Sequence, residues 1–461
     1  MPSFQPSRRR LLQWGASGPL LAVLGACAHE GAVAGSENAV RLRVLAISDL
    51  HSSYGRIAHL LAAFRNEVAN HAAPHLIVVN GDSFEHGNVV SVRSEGAIDW
   101  AFMEELPKIA PTVFNIGNHD NDLILDLHPV VARIRALGIT VVSNIIDKRT
   151  GQAFAPATAD LTIGGQRLRI VGMGTPSLNS YPQASREWLQ IPEPKAWARE
   201  NFPAMLSAEG MKLVLSHVGV VDEREYLPLV PQGTLMIGGH NHLRFTHQDG
   251  ATGYMHPGRW GETYTVGEYG ADGRVRTAIV DVPTEGSGDP RLASLVASTL
   301  AAHLTDVERK ILGETQHALT LGDTARGVCR GFADAADADW GFIGHTTLGT
   351  GLKAGPIDQF HFDEVVRFDG RLQVAEVDAS RMAAILKVCN QDRPIPIEEM
   401  TGDFIYAAEC SSGARSQGKL RLVTTDWCAR NQSKYFGTTD LAFVDVPSDG
   451  VKAVARKALL G

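Results

Sequence analysis

Five short polar motifs, each set directly after a run of aliphatic and β-branched residues, constrain this chain more than any other feature of its sequence. They are Asp49-Leu50-His51, Gly81-Asp82, Gly117-Asn118-His119, Ser216-His217 and Gly239-His240-Asn241-His242. The runs before them, residues 42–48, 76–80, 112–116, 212–216 and 234–237, read as strands, with further strands over 140–143 and 168–173. Between the first two, Ile57, Leu60, Leu61, Phe64 and Val68 fall on one helical face. Strands alternating with helices from Arg41 to about Val282 make βαβ units, an α/β fold whose sheet is covered by helices. Open α/β sheets bind ligands beyond the carboxyl ends of their strands, so the motifs from Asp49 to His242 converge on one rim.

The residue types at that rim point to metal chemistry. Carboxylate, carboxamide and imidazole together suit Mn²⁺, Zn²⁺ or Fe²⁺, whereas an all-oxygen set suits Mg²⁺ or Ca²⁺. One carboxylate can bridge two ions about 3.5 to 4 Å apart, which clamp the attacking and leaving oxygens and lower the pKa of bound water to about 7. Two such ions against only Asp49 and Asp82 keep a positive surplus, and Asn118 coordinates without reducing it. Each piece alone means little, because Asp-x-His and Gly-Asp are common and a Ser-His after a strand is ordinarily a polar terminus. The ordered set of five carries the reading.

That set resembles the calcineurin-like metallophosphoesterases, and within them the two-domain 5'-nucleotidases. The resemblance runs from Leu42 into the 440s. It implies a metallophosphoesterase sandwich of β-sheets flanked by helices, followed by a smaller α+β C-terminal substrate domain. It assigns Asp49, His51 and His242 to one ion, Asn118, His217 and His240 to the other, and Asp82 as the bridge between them. In Gly117-Asn118-His119-Asp120-Asn121-Asp122 it makes His119 a catalytic imidazole oriented by Asp122. The implied activity is hydrolysis of phosphomonoesters by metal-activated hydroxide attack, with nucleoside 5'-phosphates as the expected substrate. Cyclic nucleotides, nucleotide sugars, non-nucleotide phosphates and sulfur-linked groups are the alternatives at the same site. A non-enzymatic binding lipoprotein would have no need of His119 and Asp122. His59, His71, His75 and His247 match nothing in the family pattern and read as surface or loop residues.

The C-terminal part departs from the family. Gly331 to Trp340 is similar to its opening helix and strand, but Gly344-His345-Thr346-Thr347-Leu348-Gly349 stands where the family has Asn-Gly-Gly-Gly-Ile-Arg. Phe368 and Tyr435 fall where the family sandwiches a nucleobase between two aromatic rings. Core packing is the competing role for both.

Pro283-Thr284-Glu285-Gly286-Ser287-Gly288-Asp289-Pro290 is the strongest breaker cluster and marks a domain boundary. The residues Leu292, Leu295, Val296, Leu300, Leu304, Val307 and Ile311 then recur at helical spacing. The expected organisation is a signal over 1–27, a tether over 28–40, the metallophosphoesterase domain over 41–285, a linker helix over 286–313 and the C-terminal domain over 314–461. At the N-terminus, Ser7-Arg8-Arg9-Arg10-Leu11-Leu12-Gln13 resembles a twin-arginine export signal, and Leu24-Gly25-Ala26-Cys27 a lipobox with Cys27 as the lipidated residue. The chain is thus expected to be exported, as a periplasmic protein or an anchored lipoprotein. In an oxidising compartment Cys329, Cys389, Cys410 and Cys428 either pair or remain buried thiols. The formal net charge of -8 speaks against nucleic acid as a partner, leaving a small phosphoester drawn by the local field of the metals.

Overall fold

Two six-stranded sheets build the N-terminal part. The first runs, in spatial order, Val275–Asp281, Thr263–Gly270, Val40–Ile47, His75–Asn80, Thr112–Asn115 and Thr140–Val142. Its last four strands are parallel, and the other two close the edge antiparallel. The second runs Arg244–Asp249, Thr252–Pro257, Thr234–Ile237, Met211–His217, Gln166–Gly174 and Thr158–Ile163. The computed structural model of the protein describes residues 39–286, 288–414 and 418–461, so the expected signal and Cys27 lie outside the described residues.

Period-two alternation places the core. Leu42, Val44, Ala46, Leu76 and Val78 face Leu213, Leu215, Leu235 and Ile237 of the second sheet in one apolar cluster. The intervening Leu45, Ile47, Ile77 and Val79 face outward onto helices, where Ile57, Leu60, Leu61 and Phe64 of the helix Tyr54–Asn70 meet them. Burial on both faces is why these strands read as unbroken aliphatic runs. All seven expected strands are present, with ends shifted by no more than two residues.

Two expectations need correction. The helix after the breaker cluster spans Pro290–His303, not the whole periodic stretch. Its C-cap Leu304 turns extended, Val307 is 72% exposed, and Ile311 opens the strand Ile311–Thr315. His75 is neither surface nor loop, because it begins a central parallel strand opposite Arg43 and is buried. His59 lies within the helix Tyr54–Asn70, and His247 on the edge strand Arg244–Asp249.

The C-terminal part has its own five-stranded sheet, Ile405–Glu409, Trp340–Gly344, Leu420–Thr425, Leu372–Val377 and Val444–Asp445. The helix Leu321–Ala335 buries Val328, Cys329 and Phe332 in the cluster it forms with that sheet. All four described cysteines are free thiols, three of them buried. Buried arginine joins this part to the first: Arg259 donates to the carbonyls of His345 and Leu348 at 3.1 and 3.2 Å.

A pair of fully buried carboxamides fastens the two large sheets together beneath the rim. Asn80 donates to the Ser216 and Ile237 carbonyls at 2.9 and 3.1 Å and accepts from Asn115, which also donates to the Met173 carbonyl. Strands that end here supply four of the five motifs. Each buried group left without a partner costs about 1 to 3 kcal/mol, so Asn80→Ala should lower unfolding stability by about 3 kcal/mol or more in urea titration. A loss below about 1 kcal/mol would mean the carboxamides are not what fastens the sheets.

Candidate metal centre

Beyond the sheet the backbone turns left-handed at Asp49, His51, Asp82, His240 and His242, with φ between 49° and 72°. Non-glycine residues held there cost roughly 1 to 3 kcal/mol each and persist only where surrounding contacts fix them. Here strand-like pairing continues past the strand ends: the N–H groups of Asp49, His51 and Ser52 donate to the carbonyls of Gly81, Asp82 and Ser83, each at 3.0 Å. The carboxylate of Asp120 accepts from the Gly117, Ser83 and Asp82 N–H groups at 2.6, 2.8 and 3.2 Å, tying the second loop to the third. Gly117 must lack a side chain because its Cβ would lie 2.4 Å from Asp82 Oδ1.

The side chains converge in two groups. Nε2 of His51 and Nε2 of His242 face each other at 2.9 Å, and Asp49 Oδ1 lies 4.0 and 3.6 Å from them. Two imidazole nitrogens each about 2.1 Å from one ion are separated by roughly this distance when their bonds meet near a right angle. In the second group His240 Nδ1 lies 2.8 Å from Asn118 Oδ1, and His217 Nε2 3.1 Å from Asp82 Oδ2. His217 donates its other nitrogen's proton to the Asn80 carbonyl at 2.6 Å, which turns the Nε2 lone pair into the site, where that buried atom has no hydrogen bond. Asp82 Oδ2 also lies 3.9 Å from His51 Nε2 and so stands between the groups. Two divalent-metal sites fit this donor set.

Electrostatics agree with that fit at His51 and His240, while at His217 burial is outweighed by the Asp82 and Asp49 carboxylates, which raise the imidazole to about 10. Burial, with the Arg367 charge adding to it, lowers His51 to about 3, and burial lowers His240 to about 4, so both are the neutral imidazoles that ligation needs. Burial also pushes the Asp49 carboxyl up to about 7, the cost of crowding acids that cations would relieve. His119 behaves oppositely. Burial would lower it, but the Asp122 and Asp82 carboxylates raise it to about 10. Its Nδ1 lies 2.8 Å from Asp122 Oδ2, while its N–H donates to Asp82 Oδ1 at 2.7 Å.

Residues 42–244 match the family model of calcineurin-like phosphoesterases. The fold is that of a calcineurin-like metallophosphoesterase. The chain is a metal-dependent phosphoesterase related in fold to 5'-nucleotidase-family proteins. It is similar to a 5'-nucleotidase precursor from Thermus thermophilus, 17% identical with a TM-score of 0.60, covering 91% of this chain and 96% of that one. A sulfate thiohydrolase from the same organism gives a TM-score of 0.62 at 14% identity, covering 91% and 94%. A 5'-nucleotidase from Candida albicans gives 0.57 at 12%, covering 91% and 97%. No curated protein sequence matches the chain.

All nine residues expected at the metallophosphoesterase rim thus come together. Phe368 and Tyr435 do not share an environment: Phe368 is 48% exposed, whereas Tyr435 is buried in an apolar cluster with its ring against Gly344. Several participants went unread in the sequence. Asn241 donates to Asp403 at 2.8 Å, and its carbonyl accepts from His345 at 2.7 Å, so the C-terminal part grips the His240–His242 loop directly. Glu85 was missed as well, because an acid three residues after Asp82 gives no pattern and only the fold buries it. Because Asp82 stands between both groups, Asp82→Ala should lose both ions together in elemental analysis. Two ions retained at full stoichiometry would contradict a bridging carboxylate.

Proposed function

We propose that the chain is an exported phosphomonoesterase with two divalent ions, acting on nucleoside 5'-phosphates. The observation that carries this reading is His119, whose Nδ1 lies 2.8 Å from Asp122 Oδ2 at the edge of two metal-ligating groups. In the first group Asp49, His51 and His242 hold one ion. Asn118, His217 and His240 hold the other, with Asp82 shared. The ions, Mn²⁺ or Zn²⁺ with Fe²⁺ as the alternative, supply Lewis acidity and water activation. His119 stabilises the transferring phosphoryl group or protonates the leaving oxygen, and Asp122 fixes its orientation and favours its protonated form. Asp122 is itself oriented by the His86 N–H, which donates to the same oxygen at 2.9 Å.

Similarity along both halves to solved 5'-nucleotidases supports a nucleotide substrate. The exposed ring of Phe368 is available to a base. Tyr435 lies buried beside the half-exposed Trp427. A sulfur-linked substrate is the second reading, favoured by the likeness to the sulfate thiohydrolase. The twin-arginine-like motif and the Cys27 lipobox support export and lipid anchoring.

His119→Ala should keep both ions yet lower turnover by about 10² to 10⁴, with Asp122→Asn falling less. Loss of an ion from His119→Ala would make this residue a ligand instead. Phe368→Ala should raise the KM for AMP by roughly 5- to 150-fold while leaving a small aryl phosphate unaffected. Equal effects on the two substrates would remove the nucleobase from the recognition. Tyr435→Ala should in addition lower the melting temperature, because its ring belongs to the core.

A further inference from the structure

Glu85 has no place in the ligand set above, yet both its oxygens are engaged. Oε1 accepts from the Gly87 N–H at 2.8 Å, and Oε2 faces the Arg367 guanidinium and, at 3.3 Å, Nδ1 of His51. Arg367 comes from the C-terminal part, on the segment after the helix Gln359–Val365, and its side chain is only 8% exposed. Its guanidinium is fixed from three further sides. Nη1 donates to the Thr346 carbonyl at 3.2 Å, and the group lies over the rings of Trp260 and Phe368, 4.7 and 4.9 Å from their centroids. Trp260 in turn packs on His51, with ring centroids 4.7 Å apart.

Glu85, His51 and His119 form a third acid and imidazole group. Its cation is already present, because the Arg367 guanidinium sits on Glu85 and would repel a third divalent ion. What remains for Glu85 is the back of His51. With Nε2 turned toward His242 and Asp49, the tautomer that ligates carries its proton on Nδ1. That proton needs an acceptor. Nδ1 is buried with no aligned hydrogen bond, and the Glu85 carboxylate is the acceptor beside it. The second group relies on a different partner, the Asn80 carbonyl on His217.

We propose that Arg367 and Glu85 are positioning residues for one ion only: the C-terminal part, through Arg367, seats Glu85 behind His51 and sets the affinity of the ion held by Asp49, His51 and His242. The proposal rests on the two-ion reading given above. A carboxylate behind a ligating imidazole fixes its orientation and raises its basicity, and losing such a partner typically weakens metal binding by about 10- to 100-fold. Arg367 holds that carboxylate in place. The two residues therefore act in series.

The test is Mn²⁺ titration of the full chain by calorimetry, with elemental analysis after dialysis, for Glu85→Gln, Arg367→Met, Arg367→Lys and the double variant Glu85→Gln/Arg367→Met. Wild type should bind two ions. Glu85→Gln and Arg367→Met should each weaken one of them by about 10- to 100-fold and leave the other unchanged. The double variant should be no weaker than the worse single one, and Arg367→Lys should recover part of the loss. In an Asn118→Ala background, which weakens the second ion, Glu85→Gln should weaken the remaining one by the same factor of about 10- to 100-fold. At saturating Mn²⁺ the KM for an aryl phosphate should stay near wild type in both single variants. Unchanged affinity of both ions in Arg367→Met and Arg367→Lys would overturn the proposal, as would a raised KM with both ions fully bound, which would make Arg367 a substrate-binding residue. A wild-type chain that binds fewer than two ions would overturn the two-ion reading and this proposal with it.

Discussion

The rim depends on hydrogen bonding that does not stop where the strands do. Past Ile47 and Asn80 the first two loops go on pairing N–H to carbonyl, and this pairing holds Asp49, His51 and Asp82 in left-handed conformations an isolated chain would rarely adopt. Asn80 and Asn115 perform the matching task between the sheets, since from the strand ends of the first sheet their amides donate to carbonyls at the strand ends of the second. Donor atoms separated by nearly the whole N-terminal part are thereby fixed within a few ångströms of one another.

Acids and imidazoles crowded in this way set up a field the chain's overall charge would not suggest. The protein is acidic as a whole, yet the site gathers His119, Arg259 and Arg367 around its two buried aspartates. Of these cations Arg367 comes from the C-terminal part, which also holds the His240–His242 loop by way of Asp403 and His345. The C-terminal part is therefore structural support for the metal centre.

Much of the fold could be read in advance, because parallel strands buried on both faces leave long aliphatic runs and the helices between them keep a 3.6-residue period. Where periodicity misled, local backbone geometry had intervened: the apolar spacing through Val307 and Ile311 continued after the chain had left the helix at Leu304. His75 looked like a loop residue because a polar side chain opening a short strand gives no pattern. Cysteine spacing left pairing open, and only the sheet and helix packing keeps the thiols apart and buried.

The sequence by itself determined the α/β order, the five motifs at the ends of strands and the chemistry of the donor set, since each is a property of short, contiguous segments. Tertiary structure decided which donors face each other, which residue stands between the two groups, and that Phe368 is exposed while Tyr435 is buried. It also decided that Glu85 meets Arg367 across the two parts of the chain. Pairing of that kind joins positions hundreds of residues apart and leaves no local period. Only the packing of one part on the other brings such charges together, out of water, where each needs its partner.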